Sequence, residues 1–228
     1  MSSAHSAPVT GARIVLATGN QGKVAEFRAL LAAQPQLAHL DLDTAVIDAK
    51  TAGVGDIAET GVTFQQNSLL KARETARQTG LPAVADDSGL AVAVLSGAPG
   101  IFSARWAGRQ ASYENNRRLL LEQLADVPEA HRAAAFVCVA SLVVPGRDGV
   151  PLAEHTAEGR LEGTLLTAER GTGGFGYDPI LQPAGESRSA AQLSMEEKNA
   201  ISHRGQALRA LADRIVEALT GPGSEARR

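Results

Sequence analysis

Apolar positions along this chain alternate between two periods, and the changes of period mark its elements. Ile14-Val15-Leu16-Ala17 is short, continuous and β-branched, which predicts a core strand. Val24, Phe27, Leu30 and Leu31 then recur at helical spacing. Residues 40–47 suggest a short strand, and 48–61 an acidic loop containing glycine. Thr63-Phe64-Gln65-Gln66 has the form of a capping box and opens a helix predicted to run to about Gly80. A small apolar strand from Leu81 ends in Asp86-Asp87-Ser88-Gly89, and residues 112–126 read as a helix. The run 133–144 is almost wholly apolar, as in a strand buried on both faces. Residues 146–149 form a hairpin turn, and 150–165 return as a strand with charges at alternate positions. A long hairpin set into an α/β chain predicts a second lobe. Ser194-Met195-Glu196-Glu197 is another capping box. Ser202 is placed to cap a new helix, whose apolar stripe is Leu208, Leu211, Ile215 and Leu219.

Composition narrows this picture only a little. With 228 residues and a net charge of −3, the chain can bury a substantial core but lacks the basic excess of a general nucleic-acid or membrane binder. Its single cysteine, Cys138, forbids an intrachain disulfide and lies in an apolar run, as a buried thiol would. Residues 1–11 read as a disordered arm without a signal peptide, and 221–228 as a flexible tail. No apolar run is long enough to span a bilayer, so a cytoplasmic protein is expected.

Candidate chemistry sits at the element boundaries. The turn Thr18-Gly19-Asn20-Gln21-Gly22-Lys23 aims unpaired backbone N–H groups and the positive end of a helix dipole at one point, which suits an anion. It is not the common phosphate loop: Ala17 stands where that pattern has glycine, and Val24 where it has Ser or Thr. A plain strand–helix connection accounts for the same residues. Asn67 and Lys71 share a helix face with Phe64, a pattern that in isolation reads as a solvated face. Glu59 fits a metal or water ligand, or a surface acid. Asp86 and Asp87 must point to opposite faces of their strand and so play different parts. Paired carboxylates near a lysine-bearing loop are what Mg²⁺ with a phosphate requires, although an Asx-capped turn explains them too. Residues 96–108 form a loop of the kind that covers a site or builds an interface. Phe175, between glycines, suits either base stacking or a bulged strand entry. Lys198, His203 and Arg204 gather at the last helix break, where they suit a site or, for His203-Arg204-Gly205, plain surface.

Taken together, these pieces resemble the inosine triphosphate pyrophosphatase family, which hydrolyses non-standard purine nucleoside triphosphates to monophosphate and pyrophosphate. The resemblance rests on ATGNQGK at 17–23, ETGVTFQQNSLLKA at 59–72, ADDSGLAV at 85–92, GAPGIFSARWAG at 97–108, GGFGYDP at 173–179 and EEKNAISHRGQAL at 196–208. It implies an elongated α/β fold of two lobes with a mixed, twisted central sheet flanked by helices. Residues 12–220 would then form one catalytic domain, usually a homodimer, acting on ITP, dITP or XTP with Mg²⁺. It further implies that Thr18, Gly19, Asn20, Gln21, Gly22 and Lys23 cradle the triphosphate. Asp87 would be general base and metal ligand, with Asp86, Asn67 and Lys71 in support and Ser88 beside the substrate. Phe175, Gly176, Tyr177 and Asp178 would hold base and sugar; Lys198, His203 and Arg204 would read the base edge. Some members carry two acids before the Thr-Gly; here Ala58-Glu59 leaves one, so Glu59 is the second metal candidate after Asp87. The rivals are a pyrophosphatase for modified pyrimidine nucleotides and a non-catalytic nucleotide sensor.

Overall fold

The computed structural model describes residues 11–146 and 150–220. All but Gly11 of the arm read into residues 1–11, the tip of the turn at 147–149 and the tail at 221–228 lie outside the described residues. Among the described residues six strands form one mixed sheet flanked by helices. They are β1 (Ile14–Leu16), β2 (Val46–Asp48), β3 (Ala83–Val92), β4 (Ala133–Val144), β5 (Ala153–Leu165) and β6 (Leu181–Pro183), in the order β2-β1-β3-β4-β5-β6. β1 runs parallel to both neighbours, with Val15 opposite Ile47 and Ala83, whereas β5 and β6 are antiparallel. The predicted α/β class and mixed sheet are therefore borne out.

The chain forms two compact units. Among the described residues, one takes in 11–87, 139–146, 150–157 and 208–220; the other is Ser88–Cys138 with Glu158–Ala207. In the first, β1 is buried throughout, as its unbroken apolar run requires. Helix α1 (Gln21–Ala32) buries Val24, Phe27 and Leu31. Helix α3 (Phe64–Thr79) turns a face of small residues inward, and Ala72 and Ala76 pack with Ala83, Ala85 and Val143. Small side chains let helix and sheet approach closely, so the buried Ser68 hydroxyl reaches the Ala85 carbonyl (3.1 Å) and Ser141 (2.7 Å). Thr63 caps α3 by accepting from Gln66 N–H, and Gly80, left-handed at φ 68°, ends it.

In the second unit, Leu90, Leu120, Leu161, Leu165, Ile180 and Leu181 share one core. Arg132 lies within it, only 1% exposed. Its guanidinium donates to the carbonyls of Leu124, Leu165 and Leu166 at 2.7 to 2.9 Å, so its donors are met by backbone. Helix α4 (Tyr113–Gln123) is capped by Ser112. Helices α5 (Met195–Ile201) and α6 (His203–Thr220) are separated by Ser202 alone. Ser202 is extended (φ −64°, ψ 139°), and its hydroxyl accepts from Gly205 N–H, which is the predicted restart.

Three expectations need correction. Residues 40–47 are not all strand: Leu42–Ala45 is a helical turn, α2, because the Asp41 carboxylate caps Asp43 N–H (3.1 Å) and holds Thr44. β3 does not stop at the two aspartates but continues to Val92, which excludes the Asx-turn reading. The loop at 96–108 contains a 3-10 helix, Gly100–Arg105, closed by Ser103 donating to the Gly100 carbonyl (2.6 Å).

Candidate active site

In the first unit, alternation along β3 sends Asp86 and Asp87 to different partners. Asp86 takes both oxygens to the Lys23 ammonium, at 2.8 and 2.9 Å. Asp87 accepts from Asn67 Nδ2 at 3.1 Å and lies 3.5 Å from Lys71 Nζ. Asn67 cannot be turned round, because its Oδ1 already accepts from Gly61 N–H at 2.8 Å. A Cβ on Gly61 would strike that same amide, so the glycine is required by close approach. Lys71 also binds Glu59, at 2.7 Å. Asn67 is fully buried and the Lys71 side chain is 16% exposed, so the solvated-face reading of this helix fails.

The electrostatics follow from this arrangement. Burial pushes the Asp87 carboxyl above its ordinary range; Lys71 and Asn67 pull it down without cancelling that effect, and Glu59 adds to the rise. For Lys71, burial works to lower the value, but the charges of Asp87, Glu59 and Asp86 outweigh it and the ammonium is held more tightly. The two directions agree, since Lys71 answers to three acids while Asp87 sees one near lysine and a second acid. Glu59 and Asp87 thus converge on one cation and offer only oxygens, the donor type that hard divalent metals prefer. Among the described residues no group of three or more His, Cys, Asp or Glu is arranged to hold a metal ion. A metal at this point would complete its shell with water and ligand oxygens.

The turn before α1 differs from expectation in one respect. Its amides are not all unpaired: the Asn20 side chain caps the helix, accepting from Gly22 (2.9 Å) and Lys23 (3.4 Å). Asn20 N–H in turn donates to Thr18 Oγ1. Gln21 is held by Asp48, 2.6 Å from its Nε2, a partner the sequence did not reveal. What the turn presents to an anion is the helix dipole, beside a Lys23 ammonium already held by Asp86, with Gly19 adding no side chain to the approach.

The second unit contains a largely apolar cavity of about 180 Å³. That is slightly more than the ~150 Å³ that accommodates a benzene-sized ring. Ser88, Phe175, Gly176, Tyr177, Asp178, Lys198, His203 and Arg204, all anticipated, line it. Phe175 is 52% exposed, so it is not core. One oxygen of the buried Asp178 holds this corner together, accepting from Phe175 N–H (2.7 Å) and from Lys198 Nζ (2.6 Å). A Cβ on Gly174 would collide with that carboxylate, and the residue is left-handed (φ 71°); only glycine fits. Lys198 Nζ also lies 5.0 Å from the Phe175 ring centre. Burial pushes the Tyr177 phenol upward, and its hydroxyl donates to the Ser103 carbonyl at 2.9 Å.

Several lining residues escaped the sequence reading. Phe136 stacks on His203 (5.3 Å, 28°), yet in sequence it is one apolar residue of a buried strand among many. Asn116 ties α4 to the loop before it, donating to Ala104 and accepting from Ala107. Its burial inside a polar helix gave no signal. Tyr113 meets Phe175 at 6.2 Å; an aromatic at the first position after the Ser112 cap was the one available clue.

The chain is similar to known proteins over most of its length. The model of the Ham1 family matches residues 14–214. A Streptomyces coelicolor protein named dITP/XTP pyrophosphatase is 56% identical over 207 residues, covering 91% of this chain and 98% of that protein. An Escherichia coli O157:H7 protein of the same name is 48% identical, covering 89% and 98%. Among solved structures, a HAM1 protein from Coxiella burnetii superposes with a TM-score of 0.78 at 43% identity, covering 90% of this chain and 99% of that one.

Proposed function

The chain belongs to the Ham1 family, and we propose that it hydrolyses the non-standard purine nucleoside triphosphates ITP, dITP and XTP to monophosphate and pyrophosphate. The observation that carries this reading is the split role of β3. Asp87 belongs to an acid–lysine cluster suited to a metal and a polyphosphate, and the next residue, Ser88, lines an aromatic cavity with basic groups.

In this reading Asp87 takes a proton from the water that attacks the α-phosphorus. The bond from that phosphorus to the bridging oxygen breaks, and pyrophosphate leaves. A carboxyl raised by burial is a better base than an ordinary one, and Asn67 fixes its orientation. Lys23 and the α1 dipole meet the charge gathering on the leaving group. Asp87, with Glu59, would hold Mg²⁺, which when bound neutralises phosphate charge and favours ionisation of water. Phe175 stacks on the base, with Gly176, Tyr177 and Asp178 shaping the corner for base and sugar. Donors from His203 and Arg204 satisfy the 6-keto oxygen of hypoxanthine or xanthine. Opposite the 6-amino group of adenine they would be buried without an acceptor. The same reading takes residues 12–220 as one catalytic domain of two lobes and the protein as a cytoplasmic homodimer without nucleic-acid or membrane partners. The net charge of −3 speaks against a general nucleic-acid or membrane-surface binder, and among the described residues no helix is long and apolar enough to cross a membrane.

The test is pyrophosphate release with Mg²⁺ from ITP, XTP, ATP, GTP, CTP and UTP. Release from ITP and XTP well above the rest is the expected outcome. Orthophosphate in its place would mean attack at the γ-phosphorus, and binding without release would identify a sensor.

A further inference from the structure

The Phe175 corner is built from glycines, and Gly174 and Gly176 are both left-handed (φ 71° and 60°). Such a segment has little stiffness of its own. An exposed aromatic can present a defined face there only if something outside the segment fixes it. Asp178 fixes its near end from within. The far end is held by Arg117 of α4, whose NH1 donates to the Gly176 carbonyl at 2.8 Å. The same guanidinium donates Nε to Glu169 at 2.8 Å, which sets its plane. The Arg117 side chain is only 14% exposed, so it is held in place rather than waving in solvent. Tyr113 stands one turn earlier on the same helix face and meets the Phe175 ring.

We propose that Arg117 is a positioning residue for base recognition: clamped by Glu169, it fixes the Gly176 carbonyl and so the stacking face of Phe175. It touches neither the acid–lysine cluster nor, in this reading, the substrate. Its effect passes through the Gly176 carbonyl to the Phe175 corner and falls on KM rather than kcat. The inference rests on the proposed nucleotide pyrophosphatase function.

A double-mutant cycle on ITP hydrolysis tests it, using the full-length protein. Arg117→Met is expected to raise KM for ITP about tenfold, the size of one charge-assisted hydrogen bond, with kcat nearly unchanged. In a Phe175→Ala background the same change should have less than about a twofold effect, because the ring it positions is gone. Glu169→Gln, which keeps an acceptor for Arg117 but removes the ion pair, should shift KM in the same direction by less. An Arg117→Met effect that persists at full size in the Phe175→Ala background overturns the proposal, as does a loss confined to kcat. If Arg117→Met does not fold, Arg117→Lys and Glu169→Gln carry the same cycle with the same criterion. Wild-type protein that releases no pyrophosphate from ITP removes the functional reading itself; active wild-type protein with an additive cycle removes only the role of Arg117.

Discussion

The two polar regions of this protein are stabilised in opposite ways. In the first unit the acids and lysines arrive already paired: Lys23 with Asp86, Lys71 with Glu59 and Asp87. Each group sits on a regular element or beside one, and Asn67 is locked at both ends of its amide. In the second unit the aromatic corner stands on a glycine segment held by a few anchors from elsewhere, among them Asp178, Lys198 and Arg117. Rigid, pre-paired charge suits chemistry, where small displacements of a base are costly. An anchored but intrinsically soft corner suits selection among flat bases.

The sharpest way to break this contrast is Asp87→Asn. Turnover should fall by roughly 10²–10⁴-fold, the usual worth of a general base. Stability should move the other way. Burial raises the folded carboxyl, so its ionised form costs the native state; the cost is absent below the unfolded value and present once pH rises through the folded one. The variant's Tm should exceed wild type at neutral pH, and the gain should vanish on acidification. Thermal melts across pH check this, and a lower Tm at neutral pH would refute it.

Arg204→Ala addresses the other region. The preference for ITP over ATP in kcat/KM should drop roughly tenfold, while the pH dependence set in the first unit stays in place. An unchanged preference would show that base reading lies elsewhere.

The smallest effect is expected from Lys71→Met. Without the opposing ammonium, the Asp87 carboxyl should rise further, moving the acid limb of kcat/KM to higher pH. A limb that stays fixed would mean that Asp87 does not set it.

How much of this was legible depends on the range over which each signal is written. The Ser194 box, the Ser202 restart and the Gly80 stop were readable because a cap involves residues three or four apart. The strand at 133–144 was readable from its unbroken apolar run. The length of β3 was misjudged because Asp-Asp-Ser-Gly has turn chemistry, whereas pairing in the sheet overrides it. Residues 42–45 were misjudged because a single Asp cap outweighed an apolar pattern too short to fix a period.

From its sequence alone this chain determined its α/β class, the caps of its longer helices and the residue types its site would need. Only the tertiary structure decided which of those residues meet. Lys71 finds Glu59 across 12 positions and Asp87 across 16, and Arg117 finds the Gly176 carbonyl across 59. Propensity and capping act within one turn of chain, so they are written locally. Which charges pair, and so which carboxyl is raised, depends on burial and distance, and these exist only once the sheet has brought distant segments side by side.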